Sequence, residues 1–319
     1  MKKLSIISLF CDKDYQYLPD LLKNIDKKVI CNFELILIDN REKFKDTNIP
    51  SISSFQKYHN CRVLSKGKNL CQLSAKKLAL SVSTGDYIWF VDGDDGIEDT
   101  VSNIILNLSE ADIVAFNYVH NFIPEDKIVY QEKFSNYKIS NSPSEFKNDK
   151  YLQNIGPTCW NKWFKKEILD DIFINIPEEI KVSCNEDVFI CCSSLKRAQS
   201  VQEIPFYIYT NFPRRGISGN PHISSIKDFK TILTGWKESI ELFKKEFPEN
   251  CELFNYEYKE DTDISYFLGR INASDIELWD EEISILFNMF TSQKVYLINN
   301  KYLKSIRLRN YINLKCSRL

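Results

Sequence analysis

The stretch Gly85-Asp86-Tyr87-Ile88-Trp89-Phe90-Val91-Asp92-Gly93-Asp94-Asp95 joins an unbroken apolar run to a cluster of acids. Such a run reads as a strand buried on both faces, which calls for a sheet covered by helices on either side. The acids fall together at its tip, where like charges repel one another unless a cation sits among them. Carboxylate oxygens are hard ligands, and Mg²⁺ or Mn²⁺ commonly joins one or two of them to the phosphates of a bound nucleotide. The tip is therefore a candidate metal–diphosphate site. The plain alternative is an Asp/Gly turn that closes an ordinary strand.

The rest of the first half repeats the strand–helix alternation. Residues 4–9 form an apolar strand, and residues 17–25 carry Leu18, Leu21, Leu22 and Ile25 at helical spacing. Residues 33–38 read as a second strand ending at Asp39-Asn40, residues 61–64 as a third, and residues 70–82 as a helix that Gly85 separates from the acidic strand. Strands that alternate with helices in this way imply a doubly wound α/β sheet, in which ligands gather beyond the carboxyl ends of the strands. Asp39 and Asp92 both stand at such ends.

Beyond the acidic tip, residues 100–108 read as a helix, 112–118 as a strand and the polar residues 124–150 as a hairpin or mobile loop. Residues 184–195 place Val188, Cys191, Cys192 and Leu195 at helical spacing, and 206–209 read as a strand. From about residue 223 the pattern turns helical, with Ile232, Leu233, Trp236, Ile240 and Phe243.

Composition narrows the function classes. A formal net charge of −2 argues against a general nucleic-acid binder. No run approaches the roughly 18 apolar residues needed to span a bilayer, and Met1-Lys2-Lys3 followed by residues 4–10 reads as a first strand rather than a signal peptide. Ten cysteines without a Cys-x-x-Cys pair read as reduced buried thiols of a cytoplasmic protein, not as zinc ligands. The nine glycines form neither a Gly-x-Gly-x-x-Gly turn nor a Walker loop, so a diphosphate bound here needs a cation rather than a glycine-rich cradle of amides.

The order of these elements resembles the nucleotide-sugar glycosyltransferases of the GT-A fold, specifically the inverting family 2. The resemblance covers residues 3–218. It rests on Leu4-Ser5-Ile6-Ile7, on residues 33–39, on residues 85–95, on Trp160-Asn161-Lys162-Trp163-Phe164 and on Asn185-Glu186-Asp187-Val188-Phe189. It implies a Rossmann-like mixed sheet with a donor half over residues 1–110, an acceptor half over 111–220 and a helical extension over 221–319 associated with membrane or with a second copy. It further implies that Asp39 binds the nucleoside base, that Asp92 faces the ribose and the metal, and that Asp94 ligates Mn²⁺ or Mg²⁺. Asp187 becomes the general base, with Glu186 its alternative, and Trp160 and Asn161 wall the acceptor site. The implied partners are a nucleotide-sugar donor, UDP foremost, and a saccharide or lipid-linked saccharide acceptor of bacterial surface glycan synthesis.

This chain departs from the family pattern at two places. Leu9-Phe10-Cys11-Asp12 stands where the family has a proline and a Tyr-Asn pair, and Asn69-Leu70-Cys71 with Lys76-Lys77-Leu78-Ala79 stands where it has glycines and an Arg-Asn pair, Lys76 being the candidate replacement for the arginine. Two rival readings also fit residues 90–94: the nucleophile strand of a haloacid dehalogenase-like phosphohydrolase, and a binding protein that keeps the fold without turnover. Arg214, Arg215 and His222 sit in a glycine-containing loop suited to close over a diphosphate or simply to be solvated. The last 29 residues, 291–319, hold seven Lys or Arg and no acid, with Val295, Ile298, Tyr302 and Ile306 at helical spacing. That is the pattern either of a helix lying on an anionic inner membrane face or of a packed C-terminal helix with solvated charges.

Overall fold

The strand–helix periods of the sequence become a single mixed sheet in the computed structural model, which describes residues 2–41, 50–57, 59–68, 70–102, 110–122, 127–178, 180–182, 185–213, 215 and 226–248. The first half comprises β1 (Leu4–Phe10), α1 (Leu18–Lys28), β2 (Val29–Ile30), β3 (Phe33–Asp39), α2 (Pro50–Gln56), β4 (Cys61–Leu64), α3 (Gln72–Val82) and β5 (Tyr87–Asp92). It continues through β6 (Gly96–Ile97), β7 (Val101–Ser102), β8 (Ile113–Phe122), β9 (Lys127–Gln131) and β10 (Lys138–Ser140). Then come α4 (Pro143–Phe146), α5 (Asp149–Ile155), β11 (Lys162–Lys165), α6 (Lys166–Ile174), α7 (Glu186–Arg197), β12 (Val201–Asn211) and α8 (Ile226–Glu246).

The sheet runs β10-β12-β8-β11-β5-β1-β3-β4, with β6 on β12 and β9 on β8. Strands β1, β3 and β5 are parallel, and the register sets Phe10 opposite Asp39 and Leu9 opposite Asp92. Their carboxyl ends therefore lie level. The chain leaves β1 for β3 on one side and later returns to β5 on the other, which makes this end of β1 a topological switch point. β11 enters antiparallel between β5 and β8, so the sheet is mixed, and β12 then runs parallel to β8.

Burial explains the pattern. On α1, Leu18, Leu21, Leu22 and Ile25 are buried in one stripe while the charged residues face out. Trp89 anchors the core under the switch point, meeting Phe116 at 5.9 Å and Trp163 at 6.2 Å in edge-to-face contacts. Its indole N–H donates to the Trp160 carbonyl at 2.8 Å. Helix α3 buries Leu73, Ala75, Ala79 and Leu80, and with them a lysine, Lys76.

One expectation needs correction, and two are met in extended form. Residues 101–102 are a strand paired with β2 rather than the start of a helix, and 103–109 lie outside the described residues. The polar stretch after β8 folds back as β9 in a hairpin and then contributes β10, α4 and α5. The strand expected at 206–209 extends over Val201–Asn211, and its register slips twice between Ile204 and Tyr209, which masks its period from a sequence pattern.

The chain divides into two compact units, Met1–Gly219 and Asn220–Leu319. In the second unit α8 buries Ile240 and Phe243, both part of the expected helical pattern. Arg214, His222 and the basic stretch 291–319 lie outside the described residues. No described helix is long and apolar enough to cross a membrane, and no disulfide joins the described cysteines.

Candidate active site

The end of β5 is held from two sides. Gly93 passes so close to β1 that a Cβ there would collide with the Leu9 carbonyl oxygen. Asp95 is buried and accepts hydrogen bonds from the Tyr209 hydroxyl at 2.7 Å, the Asn211 amide at 3.0 Å and the Phe212 backbone N–H at 2.7 Å. The Tyr209 oxygen in turn accepts from the Asp92 backbone N–H at 3.0 Å. Asp95 is thus a latch between β5 and β12, and its neighbours Asp92 and Asp94 are left to face outward demands.

Those two carboxylates are only partly compensated, by Lys76 for Asp92 and by Arg215 for Asp94. Asp92 is exposed yet has protein on most sides; the loss of bulk water raises its pKa to about 8, and Asp187 is the charge that adds most, with Lys76 opposing. Asp94 is buried and raised to about 7, first by burial and then by the charges of Asp95 and Asp14. Glu34 shows the contrast: burial works against its charge too, but Ser5, Thr84 and Arg62 donate to it and bring its pKa down to about 2. The tip is an acid pair that a cation would relieve. Among the described residues no three His, Cys, Asp or Glu side chains converge as a metal cage. Two carboxylates are nonetheless the complement that Mg²⁺ uses when waters and phosphate oxygens fill its other positions, so Asp92 and Asp94 fit such an ion.

The first turn of α7 delivers Glu186 and Asp187 to the same place. Asn185 precedes it with φ of 62°, a left-handed conformation that asparagine tolerates better than most residues. Asp187 Oδ1 lies 2.5 Å from Lys76 Nζ, and Oδ2 accepts from the Cys159 backbone N–H at 3.1 Å. Glu186 Oε1 lies 3.3 Å from the same ammonium. Burial disfavours the Lys76 charge, but Asp187 and then Glu186 more than offset it and hold the lysine protonated. Burial likewise raises Asp187, yet Lys76 overrides it and the net shift is downward; Glu186, where burial dominates, is raised. Asp187 keeps 24% of its side chain exposed and Glu186 9%, so Asp187 is the more accessible of the two acids.

Other expected residues take different parts. Asp39 is buried, with a bidentate grip from Arg41: Nε to Oδ1 at 2.9 Å and Nη2 to Oδ2 at 2.8 Å. Only 1% of the Asp39 side chain is exposed, so the base contact expected of it would have to pass Arg41. Asn161 has no exposed surface; it donates to the Ile155 carbonyl at 2.9 Å and accepts from Thr158 and Lys162. Lys162, equally buried, donates to the carbonyls of Ile155, Gly156 and Thr158. Trp160 stacks on Tyr209 at 4.8 Å and meets Tyr118 edge-on at 4.6 Å within the core. Trp160 and Asn161, expected as walls of the acceptor site, are both buried and flank the loop that carries the Cys159 N–H to Asp187. Arg215 reaches the tip, its guanidinium over the rings of Phe212 and Tyr17 and its Nη1 donating to the Asp94 carbonyl at 3.3 Å.

Sequence reasoning missed Arg41 and the ion pairs of Lys76. The signal for the second was a lysine one turn from Leu73 and Leu80 on an otherwise apolar stripe. A mixed sheet with an acidic tip at its switch point defines the GT-A type of Rossmann-like glycosyltransferase. The model of the family "Glycosyl transferase family 2" matches residues 5–173, just over half of the chain, and the chain belongs to that family. It is 25% identical over 226 residues to the cholesterol galactosyltransferase of Borreliella burgdorferi, covering 67% of this chain and 61% of that protein, less than two thirds of its length. Among solved structures, S. aureus TarS aligns with a TM-score of 0.55 at 16% identity over 98% of this chain and 53% of that one. TarS 1-349 in complex with UDP-GlcNAc aligns with a TM-score of 0.53 at 15% identity over 100% and 91%.

Proposed function

We propose that this glycosyltransferase moves a sugar from a UDP-linked donor, with inversion, to a hydroxyl of a saccharide or lipid-linked saccharide in bacterial surface glycan synthesis. The observation that carries the reading is the buried Lys76 ammonium, which holds Asp187 at 2.5 Å and lies 5.4 Å from the ring of Phe90 on β5, two residues before Asp92, so that the acid of α7 stands by the acidic tip. Asp187 takes the proton of the acceptor hydroxyl as that oxygen bonds to the anomeric carbon; the bond from that carbon to the diphosphate breaks, and UDP leaves. One displacement on the face opposite the leaving group inverts the centre. Asp92 and Asp94 would hold Mn²⁺ or Mg²⁺, which when bound offsets the charge growing on the diphosphate. Lys76 keeps Asp187 ionised for its role, and Arg215 adds a cation beside the tip.

The UDP preference draws on the neighbouring fold of TarS, solved with UDP-GlcNAc. The relative named for cholesterol galactosylation favours a second acceptor reading, a sterol hydroxyl, with the same donor chemistry. Either acceptor suits work at the inner face of the membrane. The test supplies the chain with Mn²⁺, UDP-galactose, UDP-glucose or UDP-GlcNAc, and membrane lipid or glycan acceptors, and measures UDP release. Wild type releases UDP, and Asp187→Asn lowers the rate by about 10²–10⁴-fold while UDP still raises the melting temperature. A wild type that is stabilised by UDP and Mn²⁺ yet turns over no donor would replace this reading with the non-catalytic one.

A further inference from the structure

Strand β8 carries a row of rings that the donor chemistry leaves unused. Tyr118, His120 and Phe122 alternate along it and so share one face, half-buried where residues 113–117 before them are buried. The Tyr118 ring meets that of His120 at 5.0 Å and that of Trp160 at 4.6 Å, both edge-on, and His120 meets Phe122 at 5.8 Å. The row starts beside the reacting groups. Trp160 follows Cys159, whose N–H holds Asp187, and stacks on Tyr209, whose hydroxyl donates to Asp95 of the acidic tip.

One polar atom in the row is aimed by a chain of hydrogen bonds. Asp95 accepts from the Asn211 side-chain amide, which turns its NH₂ toward the acid and its oxygen the other way. That oxygen lies 3.0 Å from Nδ1 of His120, the residue opposite Asn211 in the pairing of β8 with β12. An amide oxygen only accepts, so Nδ1 carries the proton and Nε2 of the neutral ring presents a lone pair. Burial outweighs the contact with Asn211 and lowers the His120 pKa, which keeps the ring neutral at pH 7. Among the described residues nothing hydrogen-bonds Nε2 or the Tyr118 hydroxyl.

On the glycosyl-transfer reading above, on which this inference rests, the molecule lying between Asp187 and this row is the acceptor. A sterol brings one hydroxyl, spent at Asp187, and otherwise hydrocarbon, so it would cover the Nε2 lone pair and the Tyr118 hydroxyl without satisfying either. A pyranose brings an apolar ring face for the aromatic row and further hydroxyls around its rim for the polar atoms. We propose that His120 is a specificity-determining residue of the acceptor site, that its Nε2 accepts a hydrogen bond from a second hydroxyl of a saccharide whose reacting hydroxyl meets Asp187, and that Asn211 is the positioning residue that sets its tautomer. A site built around a fixed acceptor atom rejects the analogue that cannot donate to it, because the buried polar atom is then left without a partner. The acceptor is a saccharide, and a sterol is the class excluded.

Two measurements on the full chain test this. Nitrogen-15 NMR of the three histidine rings at pH 7.5, with His120 assigned by its loss in His120→Phe, should show His120 as the Nδ1–H tautomer, and Asn211→Ala should turn it into a mixture. An Nε2–H ring in wild type would overturn the proposal. The second measurement supplies Mn²⁺ and UDP-galactose, UDP-glucose or UDP-GlcNAc with methyl glucopyranoside, methyl galactopyranoside, methyl N-acetylglucosaminide or micellar cholesterol as acceptor. Wild type should glycosylate at least one of the pyranosides. His120→Phe keeps a flat ring and loses the lone pair; it should raise the pyranoside KM by about tenfold or more while UDP affinity stays within about twofold. His120→Gln, which brings a carbonyl oxygen to the same reach, should restore most of that loss. A pyranoside KM unmoved by His120→Phe or not restored by His120→Gln would overturn the proposal, and so would UDP release that depends on cholesterol or water with no pyranoside glycosylated; in each case the glycosyl-transfer reading stands. Absence of UDP release with every donor and acceptor would overturn both.

Discussion

Lys76 is the residue on which the site's charge balance turns. It is a buried ammonium between two acids, and breaking such a pair by removing one partner leaves an uncompensated charge in a poor solvent. Lys76→Met should therefore cost about 3–5 kcal/mol at pH 8. The pH dependence distinguishes this from a loss of packing. In wild type Asp187 is lowered, so its contribution is present above the ordinary carboxylate range and fades as acid protonates it; Glu186 is raised and contributes in the opposite sense. Without the lysine both acids are raised, and the stability they contribute when protonated is lost as pH rises. Urea unfolding at pH 5, 6.5 and 8 should show the gap between variant and wild type widening with pH. Adding Asp187→Asn to Lys76→Met should recover part of the loss at pH 8, and a penalty indifferent to pH would mean that Lys76 matters only as volume.

At the scale of elements, the acidic tip exists because β5 approaches β1 through a glycine and is tied to β12 through Asp95. Gly93→Ala puts a methyl group against the Leu9 carbonyl and Phe10, and backbone must yield because neither strand end is a flexible side chain. The variant should keep its far-ultraviolet dichroism and lose most of the UDP- and Mn²⁺-dependent rise in melting temperature; an undiminished rise would show that the tip does not hold the diphosphate. This half of the fold was legible in the sequence, since residues 87–91 are a continuous apolar run and residues 4–9 and 33–38 are apolar but for Ser5, Ser8 and Glu34, the pattern of strands covered on both faces. The two-residue strands β6 and β7 carry no periodic signal, and the slipped register of β12 hides its alternation. The crowding of Asp92 and Asp94 at the tip of β5 was legible from their spacing. The pairing of Lys76 with Asp187 spans 111 residues, and the clasp of Arg41 on Asp39 depends on a guanidinium fold-back; no local pattern encodes either.

At the scale of the whole molecule, charge is unevenly placed along the chain. The formal net charge is −2, while residues 291–319 hold seven Lys or Arg and no acid, so the remainder is decidedly acidic. An acidic body is repelled by an anionic bilayer, whereas each basic residue near such a surface contributes about 1 kcal/mol of attraction, falling off within a Debye length. Val295, Ile298, Tyr302 and Ile306 recur among the basic residues at helical spacing in the sequence. An enzyme that acts on a lipid-linked or sterol acceptor gains from contact of that kind, because the hydroxyl it needs is then confined to the surface on which it sits. Flotation with liposomes containing phosphatidylglycerol at 50 mM salt should carry the full chain into the lipid fraction. A chain ending before Thr291, or the full chain at 500 mM salt, should stay at the bottom of the gradient. Truncation that leaves flotation unchanged would remove the tail from this role, and binding that survives high salt but not truncation would assign it to the apolar face instead of the charges.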